Sequence, residues 1–177
     1  MSNYVMTNHD YWHKYYADNK QQKPSKFAKW VKPRLGDGKV IDIGCGDGRD
    51  TEYLGAEGWD PHAPEGESFV RGTWRNMLRR YPHSGDMTLY ARWFFHAITE
   101  VEEEELLRRW KGELFIEGRV DEVENSDHYR RPHDVAKLLE NLRWYGYEVL
   151  YDKLSDKYSP QGEDKPILLR VHATRWT

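Results

Sequence analysis

Apolar positions along the chain follow two different periods. Residues 39–43 form a short, mostly apolar run, read as a buried strand. Residues 87–97 form a longer apolar and aromatic run, read as a strand that enters a loop. Residues 113–120, 147–152 and 167–173 read as further strands, with 58–60 and 68–72 as stubs of two more. Helical periods lie between them. Val135, Leu138, Leu139 and Leu142 stand at i, i+3, i+4 and i+7 within a predicted helix over 134–145, and Gly146 follows where a stop is expected. Thr99 with Glu102 makes a capping box for a helix to about Trp110, with Val101, Leu106, Leu107 and Trp110 on its apolar side. The acidic run 102–105 reads as a solvated start that complements the helix dipole. Ser25 caps a short helix to Val31, with Phe27, Trp30 and Val31 on one face. Residues 50–54 and 74–81 are shorter helical segments, and Tyr11, Trp12, Tyr15 and Tyr16 make the start of the chain aromatic and helical, so that residues 8–35 form an N-terminal helical segment. Strand and helix alternate, which predicts an α/β layered fold. The last two strands follow one another with only a loop between them, which predicts an antiparallel edge.

Length and charge narrow the function. A chain of 177 residues suits one domain with one core, here residues 1–177. The formal net charge of −3 argues against a partner held by neutralising many phosphates, so nucleic acid is not expected. The single cysteine, Cys45, excludes an internal disulfide and fits a reducing, cytoplasmic setting. There is no membrane-length apolar run, and residues 1–10 lack the apolar core of a signal peptide. Histidines are scattered without metal-ligand spacing, so no metal is expected.

The chemistry sits in Val40-Ile41-Asp42-Ile43-Gly44-Cys45-Gly46-Asp47-Gly48. A buried strand delivers the chain to a tight turn, glycines allow positive φ and close approach of a ligand, and helix-start N–H groups face its polar atoms. The spacing differs from the dinucleotide G-x-G-x-x-G, and there is no Walker lysine. Residues 40–50, VIDIGCGDGRD, resemble motif I of the class I S-adenosylmethionine-dependent methyltransferases. The resemblance implies a Rossmann-like doubly wound sheet, mostly parallel with an antiparallel C-terminal edge strand. It implies S-adenosylmethionine as cofactor, bound by Asp42, Gly44, Cys45, Gly46, Asp47, Gly48 and Asp60, with Asp60 on the ribose hydroxyls. Tyr16, with Tyr15, is either a lid over the cofactor or packing for the N-terminal helix. Cys45 reads as packing and not as a nucleophile. Further stretches (Tyr11-Trp12 to Tyr16, residues 24–28, 90–97, 115–119, 128–131 and 162–166) resemble a bacterial and viral subgroup associated with modification of surface sugars or phosphosugars.

The chain departs from that family after the loop. Only 13 residues separate Gly46 from Asp60, and residues 63–67 are too short, with Pro64, for the usual helix after the second strand. A reduced number of helices on one side is expected. Trp74 either stacks on adenine or packs the core.

Methyl transfer from a sulfonium needs alignment and, for a hydroxyl acceptor, a base. His96 is the candidate base, against a purely structural reading. Arg92, on the same strand face as Phe94 and His96 by period two, either binds an anionic group or pairs with Glu117 or Asp86. Glu117 and Arg119 share a face of the next strand, and His128, Arg130 and Arg131 form a basic loop; these five are substrate-binding candidates, each with a solvated-charge alternative. Glu163 and Asp164 read as a second acid patch or as a hydrophilic hairpin tip. The leading reading is methyl transfer to a small-molecule acceptor, a sugar or phosphosugar hydroxyl. The alternative is a non-catalytic cofactor-binding or interaction subunit. Homo-oligomerisation through apolar surface on the short flank stays open.

Overall fold

A computed structural model describes residues 23–120, 131–159 and 165–175 of the chain. Strand β1 (Val40–Ile43) is buried at every position, which is why its apolar run does not alternate. It lies inside a sheet of seven strands ordered β3-β2-β1-β4-β5-β7-β6. The strands are β2 (Glu57–Asp60), β3 (Phe69–Arg71), β4 (Thr88–Arg92), β5 (Glu113–Arg119), β6 (Tyr147–Ser155) and β7 (Leu168–Arg175). Strands β1 to β5 pair in parallel. Strand β7 runs antiparallel to both β5 and β6, so the antiparallel pairing lies at the edge where the sequence places it. From β1 the order runs outward to β3 and then resumes at β4 on the other side. That reversal opens a crevice above the carboxyl ends of β1 and β4, where ligands bind in open α/β sheets.

Among the described residues, helices lie on both faces of the sheet. Helix α1 (Lys26–Val31) and helix α2 (Arg49–Leu54) pack Phe27, Ala28, Val31 and Leu54 with Val40, Tyr90 and Phe115. Helices α3 (Trp74–Arg80), α4 (Glu100–Arg109) and α5 (Val135–Trp144) form the larger core cluster, around Met77, Leu106, Leu107, Trp110, Leu138 and Leu142. No helix joins β2 to β3, although they are parallel. Residues 61–68 make the crossover as a loop, held by Ala63 N–H and Gly72 N–H donating to Asp60 O and by Arg71 Nε donating to Ala63 O. The ring of Phe69 lies over this flank, against Gly48 and Gly58.

Helix starts and stops follow the sequence signals. Ser25 Oγ accepts from Ala28 N–H, Thr99 and Glu102 form the reciprocal box, and Gly146 adopts φ 84° after α5. Four details differ. The run 87–97 is not one strand: β4 ends at Arg92, Trp93 turns the backbone with φ 59°, and a 3-10 turn (Phe95–Ala97) follows. Val101 does not face the core but is 76% exposed, since the apolar stripe of α4 runs through Leu106 and Leu107. Glu103 is not solvated but buried, because Arg131 bonds to it. Strand β6 also continues beyond 152 to Ser155; its outer half is held by pairing with β7 while Asp152, Lys153 and Leu154 are exposed, so no hydrophobic pattern marks it. No helix among the described residues is long and apolar enough to cross a membrane.

Close packing of β5 predicts one sensitive position. A Cβ on Gly118 would fall 2.0 Å from Nε2 of the buried His133. Gly118→Ala is expected to cost about 1–3 kcal/mol in urea unfolding, as overpacking does. Adding His133→Ala should recover part of that loss.

Candidate functional site

The crevice is floored by the loop from β1 to α2. Gly44, Gly46 and Gly48 all take left-handed φ, at 72°, 56° and 82°, a region other residues enter only with strain. The loop is stitched to β2, because Gly44 N–H and Cys45 N–H both donate to Trp59 O, at 2.8 and 3.4 Å. A side chain at Gly44 would meet the Phe94 ring at 3.0 Å, and one at Gly48 would meet Phe69 at 2.4 Å. No Cβ fits at Gly44 or Gly48, because the Phe94 and Phe69 rings already pack against them, and Gly46 and Gly48 are buried. Cys45 is buried with its Sγ facing Gly58, and burial holds its thiol protonated.

Three buried carboxylates surround this loop. Asp42, on β1, accepts from Thr51 Oγ1 at 2.6 Å. Burial pushes its carboxyl up to about 7, the Thr51 hydrogen bond opposes this, and the neighbouring Asp50 and Asp60 add to the rise. Asp60, at the end of β2, accepts from His62 N–H at 2.7 Å and Gly46 N–H at 3.4 Å, and burial raises it too. Asp50, in the first turn of α2, accepts from Ser25 N–H, Ser25 Oγ and Tyr90 OH, each at 2.7 Å. Concentrated buried negative charge beside a glycine loop suits a cationic ligand that also carries hydroxyl donors. Asp47 is partly buried in the same loop.

A second group of side chains lies at the ends of β4 and β5. Arg92 Nε donates to Glu117 Oε1 at 3.1 Å, and Arg170 Nε, on β7, donates to Glu117 Oε2 at 2.7 Å. The structure thus pairs Arg92 with Glu117, as one of the two sequence readings has it, and adds Arg170. His96 does not share the face of Arg92, since the strand ends first; it is buried in the 3-10 turn, with its ring 5.3 Å from that of Trp93. The Arg131 side chain is itself largely buried. It braces the turn, donating to Phe95 O, Ile98 O and Glu103, while its N–H donates to His96 O. Arg119 is half-buried at the end of β5, and its carbonyl accepts from His133 N–H. Trp74 sits in the core, 6% exposed, with the Arg75 guanidinium 4.2 Å from its ring. Tyr15, Tyr16, His128, Arg130, Glu163 and Asp164 lie outside the described residues.

Sequence reasoning missed three residues here. Asp50 reads from sequence as an ordinary acidic helix start, and only the fold brings Ser25 and Tyr90 to it. Arg170 lies in an apolar run 53 positions from Glu117 and carries no local signal. Trp93 is the one described non-glycine residue with positive φ, and its N–H donates to Glu117 O. Such strain is found where structure around a site enforces it.

Comparisons with known proteins bear on the fold. A family model described as tellurite resistance protein TehB matches residues 4–70. No curated protein matches the chain. Among solved structures, a TehB-like S-adenosylmethionine-dependent methyltransferase from Corynebacterium glutamicum superposes with TM-score 0.58 at 19% identity, over 95% of this chain and 96% of that one. A 1,6-didemethyltoxoflavin-N1-methyltransferase from Burkholderia thailandensis, solved with S-adenosylhomocysteine, gives 0.57 at 16% identity, over 84% and 76%. The cyclase SpnF gives 0.60 at 14% identity, over 89% and 84%.

The state of Asp42 predicts a pH dependence. Its carboxyl lies at about 7 in the folded chain against an ordinary 3.8, so the folded state holds the proton more tightly than the unfolded one. Its contribution to stability is therefore present at low pH and is lost as pH rises through this window. Asp42→Asn should match the wild type in stability near pH 4 and exceed it above pH 7, by on the order of a few kcal/mol. Urea unfolding across that range measures it. The chain has the fold that these methyltransferases share.

Proposed function

We propose that the chain, as one domain over residues 1–177, binds S-adenosylmethionine and transfers its methyl group to a small polar acceptor. The glycine loop carries this reading: three alternate left-handed glycines beside buried carboxyl groups, at the carboxyl end of β1. The TehB match over residues 4–70 and the methyltransferase neighbours support it. When bound, the cofactor supplies an electrophilic methyl group on a positively charged sulfur. The backbone of Gly44, Cys45, Gly46, Asp47 and Gly48 forms the contact surface. Asp60 accepts from the ribose hydroxyls. At the far side of the crevice, Arg92 with Glu117 positions the acceptor, Arg119, His128 and Arg130 are its further candidate contacts, Arg131 acts only by bracing the turn that holds His96, and His96 is the candidate base for the acceptor's proton. Tyr16 covers the cofactor. A sugar or phosphosugar hydroxyl is the first acceptor class to screen.

The loop crossover at residues 61–68 favours a second reading. A flank without a helix fits a chain that binds the cofactor but does not turn it over, serving as a binding subunit. Calorimetric titration with S-adenosylhomocysteine tests the shared premise. Saturable binding is expected, weakened about tenfold or more by Asp60→Ala through loss of its hydrogen bonds. No heat at about millimolar ligand overturns both readings. Methyl transfer by the wild type, lost in His96→Gln with cofactor affinity kept, separates enzyme from binding subunit.

A further inference from the structure

Glu117 is 2% exposed and receives two guanidinium groups, from Arg92 and Arg170. Among the described residues these ion pairs set one carboxylate against two arginines, an excess of one positive charge within the triad. Burial outweighs both arginines and raises the Glu117 carboxyl, and any proton it takes enlarges the excess. Buried charge of this kind is costly unless a partner balances it.

The donors left over face the same problem. Arg170 is 4% exposed, and its Nη2 is buried with no hydrogen-bond partner among the described residues. Arg92 bonds to Glu117 through Nε, its Nη atoms make no hydrogen bond among the described residues, and its side chain keeps 20% exposure. Aromatic rings flank the cluster: the Arg170 guanidinium lies 4.0 Å from the Tyr158 ring centroid and 5.4 Å from that of Phe27. Tyr158 is set in place by a 3-10 turn (Asp156–Tyr158), by its OH pairing with Tyr151 OH at 2.7 Å, and by Lys26 Nζ donating to Ser159 O. All three charged residues stand in register across β4, β5 and β7, at the end of the sheet where the crevice opens.

We infer that Arg92 and Arg170 form an anion site that takes a carboxylate carried by the acceptor. This deepens the reading of the β4–β5 end as the acceptor site and rests on it. A single carboxylate balances the excess charge, whereas a dianionic phosphate overshoots it. A carboxylate also matches guanidinium N–H groups two at a time. Glu117 then competes with the incoming carboxylate for the two arginines.

The probe is benzoate, with the isosteric neutral benzamide as control, each titrated calorimetrically into the full chain with and without saturating S-adenosylhomocysteine. Benzoate should bind saturably and about tenfold or more tighter than benzamide. Arg170→Gln should lose that difference while its affinity for S-adenosylhomocysteine stays within about threefold. Glu117→Gln removes the competing carboxylate and should tighten benzoate, the opposite of what a purely structural triad gives. Equal affinity for benzoate and benzamide overturns the inference. So does weaker benzoate binding in Glu117→Gln, or loss of S-adenosylhomocysteine in Arg170→Gln as large as the loss of benzoate, which would assign the arginine to the cofactor's own carboxylate. If Arg170→Gln fails to fold, the wild-type pair of probes and Glu117→Gln carry the test. Benzoate binding by a chain that ignores S-adenosylhomocysteine keeps the anion site and removes the methyltransferase reading, so the two fail separately.

Discussion

The placement of the glycine loop depends on Asp50. Its carboxylate draws Ser25, which caps α1, and Tyr90, on β4, to the first turn of α2. A carboxylate with three short donors is held far more firmly than by a helix dipole alone. The loop between Ile43 and Arg49 is thereby pinned at both ends, by β1 and by this knot. Helix α1 is only six residues long and would not persist by itself. It is retained because the knot holds its start and because Phe27, Ala28 and Val31 are fully buried against the sheet.

Charge is distributed unevenly around the crevice. Above β1 and β2 it is negative, from Asp42, Asp50 and Asp60; above β4, β5 and β7 it is positive, from Arg92 and Arg170 around Glu117. The chain as a whole is near neutral, at −3, so this division comes from placement and not from composition. Strand register makes it: Arg92 lies opposite Glu117, and Glu117 opposite Arg170, in adjacent pairs. Four residues down β5, on the same face, Glu113 repeats the arrangement with Thr88 and His172. The face therefore carries two cross-strand polar ladders, separated by the Tyr90 and Phe115 rings.

Much of the fold was legible because its signals are local. A four-residue apolar strand followed by alternating glycines announces a backbone that must turn tightly, and the caps at Ser25 and Thr99 mark their helices without help from the rest of the chain. Asp42, Gly44, Gly46, Gly48 and Asp60 could be named because one short motif and one strand end contain them. The residues that complete the other end could not. Arg170 looks like a lone charge in a strand until β7 is seated beside β5. Trp93 looks like one more aromatic in an apolar run until its backbone conformation is known, and that conformation is what removes His96 from the face of Arg92. Arg131 seemed solvated because its partners, the Phe95 and Ile98 carbonyls and Glu103, are more than 25 residues away.

The position of β7 also orders events in time. It is synthesised after β6 yet lies between β6 and β5, so β6 has no neighbour in the sheet until β7 arrives. The chain must hold the place open, or admit the later strand into an assembled edge, and contacts of such long sequence separation form slowly. Until then Glu117 has one arginine and an uncovered side, and the edge of β5 offers unpaired backbone to any other strand nearby. The same insertion that brings Arg170 to the crevice makes this edge the place where folding is slowest and where misassembly between nascent chains would begin.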